Sequence, residues 1–423
     1  MPKQRDPILD DLNTNQRRAV TAPDGPVLIL AGAGSGKTRA LTHRIAYLIR
    51  RGVAAEKILA VTFTNKAARE VQERVTQLMD AHGAAELTLR PAARVSAGAQ
   101  PFIGTFHRLS NRILAAHAEL TGLRHPYTIF DQDDQLAAAK QAVKEEELDP
   151  KQFAPAAMLS AISRAKQELL DPDTYAERLN GLWPETVARV WRRYAATLRQ
   201  TNAVDFDDLL GFAVLILRDH EHPRRAWQER FEHILVDEYQ DTNHAQYVLL
   251  RLLAEPHRRL FVIGDDAQSI YSFRGADFRN ILSFERDWPD ATVIVLSENY
   301  RSTQTILTAA SALIRNNALQ KPKELTTANG PGPRISLLAV ADETEEARAI
   351  VAQAERLRAE RGIARSQMAV LYRTNAQSRA IEQACLETEV PYALIGGVAF
   401  YQRREVKDVL AYARLMLNPA DLL

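Results

Sequence analysis

Ala31-Gly32-Ala33-Gly34-Ser35-Gly36-Lys37-Thr38 follows directly on the apolar run Pro26-Val27-Leu28-Ile29-Leu30 and leads into Arg39-Ala40-Leu41-Thr42-His43-Arg44-Ile45, a helix-like stretch. A strand that ends in a glycine-rich turn and opens a helix aims successive backbone N–H groups, and the helix N-terminus, at one point. Phosphate oxygens fit there. Strand, loop, Lys-Thr pair and helix occur in order, which separates this stretch from an ordinary glycine-rich turn. The backbone of Ala33, Gly34, Ser35, Gly36, Lys37, Thr38 and Arg39 is the expected cradle. In it, Lys37 reaches the β- and γ-phosphates and Thr38 offers a hydroxyl to Mg2+. Ala31 stands where the generic pattern has its first glycine, a place a small residue can fill at negative φ.

Further strand-like runs lie at Ile58 to Phe63, Ile234 to Asp237, Leu260 to Gly264 and Val293 to Leu296, with helix-period segments between them. This alternation predicts a parallel α/β sheet. Ligands bind at the carboxyl ends of such strands, where the phosphate loop, Asp237-Glu238 and Gly264-Asp265-Asp266-Ala267-Gln268 all fall. About two hundred residues separate Lys37 from Asp237, and those from about 109 to 200 read as almost wholly helical. An inserted helical subdomain is the simplest explanation. In it Trp183 and Trp191 read as core anchors, and Lys144 to Glu147 as a solvated face. His82 to Pro101 reads as a long surface loop.

After Pro322 the turn Asn329-Gly330-Pro331-Gly332-Pro333 precedes an expected strand at Arg334 to Leu338, a helix at Glu343 to Arg361 and a strand at Met368 to Tyr372. A second α/β domain begins there, with room for only part of a sheet before the chain ends.

Composition sets bounds. The chain has 423 residues, 46% hydrophobic and 25% charged, so two or three domains with real cores are expected rather than disorder. Its one cysteine, Cys385, leaves no internal disulfide, and the start Met-Pro-Lys-Gln-Arg-Asp has no apolar core of a signal, which favours the cytoplasm. Apolar runs such as Gly211 to Leu217 fall far short of the roughly 18 residues a membrane span needs. With a net charge of +1, any nucleic-acid binding must come from a local basic groove.

Ile234-Leu235-Val236-Asp237-Glu238 delivers two adjacent carboxylates to a strand's end. Asp237 is expected to hold Mg2+ and Glu238 to activate water, and two acids beside a phosphate loop need a metal to coexist. A surface acidic turn is the bland alternative. Gln268, after the next strand, suits sensing of the γ-phosphate, because an amide can both donate to oxygen and orient water.

These blocks, with Leu12 to Gln16, Val61 to Glu70, Gly104 to His107, Asp205 to Leu210, Asp237 to Thr242, Gly264 to Asp277, Asn299 to Ser302, Leu371 to Arg379 and Gly396 to Phe400, resemble the UvrD, Rep and PcrA group of superfamily 1 DNA helicases. They recur in family order from end to end. The resemblance implies two RecA-like domains. The first would span 1–108 and 201–290, with the helical insertion at 109–200. Part of the second would span 291–402, and a second helical insertion would start at 403–423.

It further implies ATP as the nucleotide, with Gln16 reading the adenine edge and Tyr300 stacking on its face. Arg301 would arrive from the second domain as an arginine finger, so hydrolysis would need domain closure. Phe63, Asn65, His107, Tyr271, Phe273, Arg274 and Asn375 would contact single-stranded DNA and single-strand/duplex junctions, with repair proteins as partners and a monomer or weak dimer as the working state. Aromatic stacking accepts any base. Phe273 departs from the tryptophan common in relatives, which implies weaker stacking. The family's later phosphate-contacting arginine and DNA-binding histidine segment have no counterpart before Leu423. The chain therefore reads as the N-terminal portion of a 3′-to-5′ helicase of repair or replication restart. An ATP- and DNA-binding fragment without turnover, or part of a helicase-nuclease, stand as alternatives. A small-molecule kinase would share the loop but have no use for Phe63-Thr64-Asn65.

Overall fold

The expected apolar runs pair side by side. The computed structural model describes residues 7–81 and 100–395, and beyond them 409, 412, 415, 416 and 418. Its strands are β1 (Val27–Ala31), β2 (Ile58–Thr62), β3 (Phe102–Thr105), β4 (Thr128–Ile129), β5 (Ala203–Val204), β6 (His233–Val236), β7 (Leu260–Gly264) and β8 (Thr292–Leu296). Six of them form one parallel sheet in the order β3-β2-β6-β7-β1-β8. Helices cover both faces, so the central strands are buried on both sides and read as continuous apolar runs. Leu28, Leu30, Leu59, Val61, Ile234, Val236 and Val262 enter one core. The intervening Ile29, Ile58, Ala60, Leu235, Phe261 and Ile263 enter the other, the two-residue period of a strand.

The chain crosses from β1 to β2 over the places later filled by β6 and β7. A crevice therefore opens at the carboxyl ends of β1, β6 and β7.

The helical insertion has its own core, built on Phe130, Ile162, Trp191, Tyr194 and Leu198. Its entry and return are joined by β4 and β5, which pair in parallel as Thr128↔Ala203 and Ile129↔Val204. Helix Phe106–Ala116 lies before that neck, and its Phe106, Leu109 and Ile113 belong to the sheet's core. Trp191 is a core residue as expected, but Trp183 is 40% exposed and stacks on Phe153 at 6.0 Å. The helix holding Trp183 starts at Leu182, so this tryptophan sits in the first turn, outside the face that packs.

Two compact units emerge, Met1–Gly332 with Ala413–Leu423, and Pro333–Tyr412. Sequence reading divided the chain between 290 and 291. The pairing of β8 with β1, from Val27↔Thr292 to Ala31↔Leu296, is what carries the residues after 291 into the first unit.

In the second unit the helix Glu343–Arg361 forms as predicted and packs against Ser378–Glu387 through Ala347, Val351, Ala384 and Cys385. The strands predicted at 334–338 and 368–372 do not form, and Leu337 and Leu371 are exposed. A β-strand is held by a neighbour's backbone hydrogen bonds, and neither segment has one among the described residues. Most of the predicted loop at 82–101, the Gly396 to Phe400 block and nearly all of 403–423 lie outside the described residues. Among those described, no helix is long and apolar enough to cross a membrane.

Candidate nucleotide and nucleic-acid site

Two glycines shape the phosphate loop. Gly34 (φ +68°) and Gly36 (φ +90°) adopt the left-handed conformation that side chains avoid. A Cβ on Gly34 would stand 2.7 Å from both Arg301 Cβ and Asn299 Nδ2, and one on Gly36 would stand 2.6 Å from Gln16 Nε2. Helix Lys37–Arg50 starts at Gly36 with no side-chain cap. Its first-turn N–H groups are thus left for an anion, which fits triphosphate oxygens.

Gln16 ties this loop to the preceding helix. Its Nε2 donates to the Ser35 carbonyl at 3.0 Å and its Oε1 accepts from the Asn13 N–H at 3.2 Å, half of a capping box at Thr14–Val20. The expected base-reading edge is therefore largely spent on protein, with one N–H and one lone pair left over.

Asn299, Tyr300 and Arg301 lie against the loop. Asn299 Nδ2 donates to the Ala33 carbonyl, and the Tyr300 N–H to the Gly34 carbonyl at 3.0 Å. Tyr300 is half exposed, and its hydroxyl accepts from Asn13 Nδ2 at 2.6 Å. Sequence reading had Arg301 reach the phosphates from the second domain. Arg301 lies in the same compact unit as the loop, because β8 and β1 are neighbours and their carboxyl ends leave the sheet together.

The acids sit at the end of β6. Adjacent strand residues point to opposite faces, yet Asp237 and Glu238 are both at this site, because Glu238 takes the left-handed conformation (φ 49°, ψ 47°) and turns the chain. A non-glycine residue held so costs roughly 1–3 kcal/mol and is characteristic of functional sites. Lys37 Nζ donates to Glu238 Oε2 at 2.6 Å and to Gln268 Oε1 at 3.3 Å. Gln268 Nε2 donates to Asp265 Oδ2 at 2.5 Å. The Asp265 N–H donates to Gln240 Oε1 at 2.9 Å, and Gln240 Nε2 donates to Glu238 Oε2 at 2.8 Å. The ring Lys37, Gln268, Asp265, Gln240, Glu238 is closed. Gln240 and Asp265 carried no role in the sequence reading, although both lie within the motif blocks it quoted.

Burial, aided by the Glu238 carboxylate, pushes the Asp237 carboxyl up to about 7 against the pull of Lys37. Burial and Glu238 likewise raise Asp241 to about 6. Acids so raised invite a cation. No group of three or more His, Cys, Asp or Glu forms a metal cage among the described residues. Mg2+ keeps waters and phosphate oxygens and takes only one or two carboxylates, so a single aspartate with a hydroxyl is a donor set that fits it.

Phe63, after β2, lies 4.7 Å from Tyr271, and Tyr271 lies 6.0 Å from Phe273, centroid to centroid. Phe273 is 61% exposed, so it is no core residue. Asn65 is exposed at the start of helix Asn65–Ala81. His107 follows β3, whose Thr105 pairs with Thr62, and it packs edge-on against Phe206 at 5.8 Å. Burial holds its imidazole pKa below the ordinary value. Arg274 ends the turn Ser272–Arg274. Asn375 lies in the second unit, in the turn Asn375–Gln377.

Residues 12–289 match the UvrD/REP helicase N-terminal domain family, and residues 294–423 the UvrD-like helicase C-terminal domain family. The chain is 44% identical over 415 residues to the ATP-dependent DNA helicase PcrA of Bacillus subtilis (strain 168), covering 98% of this chain and 54% of that protein. It is 43% identical over 415 residues to the PcrA helicase of Leuconostoc citreum, with the same coverage. Against that of Staphylococcus aureus (strain Mu50 / ATCC 700699) it is 43% identical over 98% of this chain and 55% of the relative. The chain thus spans about half the length of the curated relatives it matches. Both family domains are represented, and the expectation of an inactive fragment finds no support in these matches.

Proposed function

The chain belongs to the UvrD/REP helicase family, and from that premise we propose that it is an ATP-driven motor on single-stranded DNA. It couples ATP hydrolysis to 3′-to-5′ translocation and strand separation at single-strand/duplex junctions. DNA repair or replication restart in the cytoplasm is the setting, with repair proteins as partners and a monomer or weak dimer as the working state. The observation that carries the hydrolytic reading is the closed ring at Lys37. One carboxylate and one carboxamide oxygen converge on the lysine of a phosphate loop whose helix begins without a cap.

In this reading the first-turn N–H groups and Lys37 bind the triphosphate, and the hydroxyl of Thr38 and carboxylate of Asp237 hold Mg2+. The metal, when bound, withdraws charge from the β- and γ-oxygens. Glu238 takes the proton of the attacking water, with its carboxylate aimed by Lys37 and Gln240. Gln268 donates to the γ-phosphate, and Arg301 offsets the charge that develops there. Tyr300 supports the base. Phe63, Tyr271 and Phe273 offer a tilted row of faces to successive bases, with Asn65, His107, Arg274 and Asn375 as polar contacts. Residues 268 and 271–273 lie in one continuous segment, so a change at the γ-phosphate is transmitted to the row.

The test is ATP hydrolysis by the purified chain with and without single-stranded oligonucleotide, using Glu238→Gln as the blank. DNA-stimulated turnover that Glu238→Gln abolishes, with nucleotide binding kept, is the expected result. Normal turnover in Glu238→Gln overturns the assignment.

A further inference from the structure

Gln268 can offer its oxygen to Lys37 only if its amide end is held elsewhere. The Asp265 carboxylate holds it, and Asp265 is itself held from outside the motif. Lys323 Nζ lies 2.7 Å from Asp265 Oδ1 and 2.5 Å from Asp266 Oδ1, and all three side chains are buried. The backbone N–H of Lys321 donates to Asp266 Oδ2 at 3.0 Å, so the 321–323 segment grips both carboxylates. Lys323 lies beyond helix Gln304–Ile314, in the segment that returns to the sheet. That segment bonds at Thr326 to Ser297 and Asn299, immediately before Tyr300 and Arg301.

Asp265 is thus gripped on two sides. Its Oδ2 receives Gln268 Nε2, and its Oδ1 faces Lys323 and receives the Ala267 N–H at 3.1 Å. Asp237, Glu238 and Asp241 crowd the same strand ends, so a buried carboxylate at 265 needs a cation of its own. Lys37 is engaged with Glu238 and Gln268, and Lys323 supplies the second charge. Burial pulls the Lys323 ammonium down, but the two aspartates outweigh it and keep the group charged.

Resting on the nucleotide-site reading above, we propose that Lys323 is a positioning residue for the γ-phosphate sensor. Through Asp265 it sets the direction of the Gln268 carboxamide, and it links that direction to the segment carrying Tyr300 and Arg301. Without its charge the Asp265 carboxylate turns toward other donors, and Gln268 loses its fixed orientation toward the Lys37 end of the site. Binding of the base and the α- and β-phosphates does not depend on this arm, but recognition of the third phosphate does.

The experiment is calorimetric titration of the full chain with ADP and with a non-hydrolysable ATP analogue, both with Mg2+. Parent, K323M, K323R, D265N, Q268A and K37A are compared by their ratio of the two affinities. K323M and D265N should lose roughly tenfold of the preference for the triphosphate, the share carried by a hydrogen bond to a charged group. They should thereby match Q268A, with ADP affinity unchanged, while K323R restores the ratio. A parent-like ratio in both K323M and D265N overturns the inference, as does equal loss of both ligands, which marks a merely structural role. K323R as deficient as K323M also overturns it. If the parent binds neither nucleotide, or K37A binds both as the parent does, the nucleotide-site reading fails and carries this inference with it.

Discussion

Asp237→Asn should make the protein more stable while disabling the proposed metal site, and the gain should grow with pH. The Asp237 carboxyl is raised to about 7 in the folded chain, first by burial and second by Glu238. In the unfolded chain it returns to about 3.9. A folded value above the unfolded one means that the native state favours the proton. The cost of the buried carboxyl is therefore absent below about pH 4, builds as the unfolded chain loses its proton between about pH 4 and pH 7, and is complete above about pH 7. Asparagine carries no charge at any of these values and keeps the Oδ1 that accepts the Glu238 N–H at 3.0 Å. Integrating the linkage relation, the variant should be more stable than the parent by about 1–2 kcal/mol at about pH 5 and by roughly twice that or more at about pH 8. Urea unfolding of both chains in chelator, at the two pH values, measures the gap directly, because other titrating groups cancel in the difference. Mg2+ with nucleotide should then stabilise the parent more than the variant. A gap that is constant with pH, or one that favours the parent at the higher pH, refutes the reasoning.

Lys166→Met should cost about 3–5 kcal/mol in the same unfolding assay, because Lys166 Nζ lies 2.6 Å from Asp205 and 2.7 Å from Asp208 in a buried cluster; adding Asp208→Asn should recover part of the loss. Gly275→Ala should weaken oligonucleotide binding in fluorescence anisotropy and spare nucleotide binding, since Gly275 has φ +76° and a Cβ there would collide with the buried Gln167 Oε1. Phe273→Trp should tighten oligonucleotide binding severalfold, because its exposed ring gains stacking area; unchanged affinity would remove Phe273 from the stacking row.

The central strands were legible because a parallel sheet buries both faces, so Val27–Ala31, Ile58–Thr62 and Leu260–Gly264 read as unbroken apolar runs. The four residues of β3 were not, since an edge strand of only four residues, interrupted by Gly104, is too short to stand out as an apolar run. The opposite error fell on 334–338 and 368–372. Their patterns are strand-like, but pattern is only half of a strand, and the partner backbone is the other half. The phosphate loop, Asp237, Glu238 and Gln268 were readable as local motifs, each carried by a contiguous stretch. The left-handed turn at Glu238 was not, because nothing in a glutamate announces a positive φ.

What local reading misses at this site is how its parts are joined. The ring closes through Gln240 and Asp265, and its outer support is Lys323, more than fifty residues beyond Gln268. Such pairings depend on which strands are neighbours, and β6 and β7 lie side by side only because β1 and β2 flank them. The choice of carboxamides also follows from electrostatics. Asp237, Glu238, Asp241, Asp265 and Asp266 crowd the strand ends, and a further acid as a linker would add another like charge to that crowd. Gln240 and Gln268 each donate at one end and accept at the other, so they pass orientation around the ring without adding charge. The site therefore uses neutral amides to carry geometry and sets two lysines, Lys37 and Lys323, against the carboxylates.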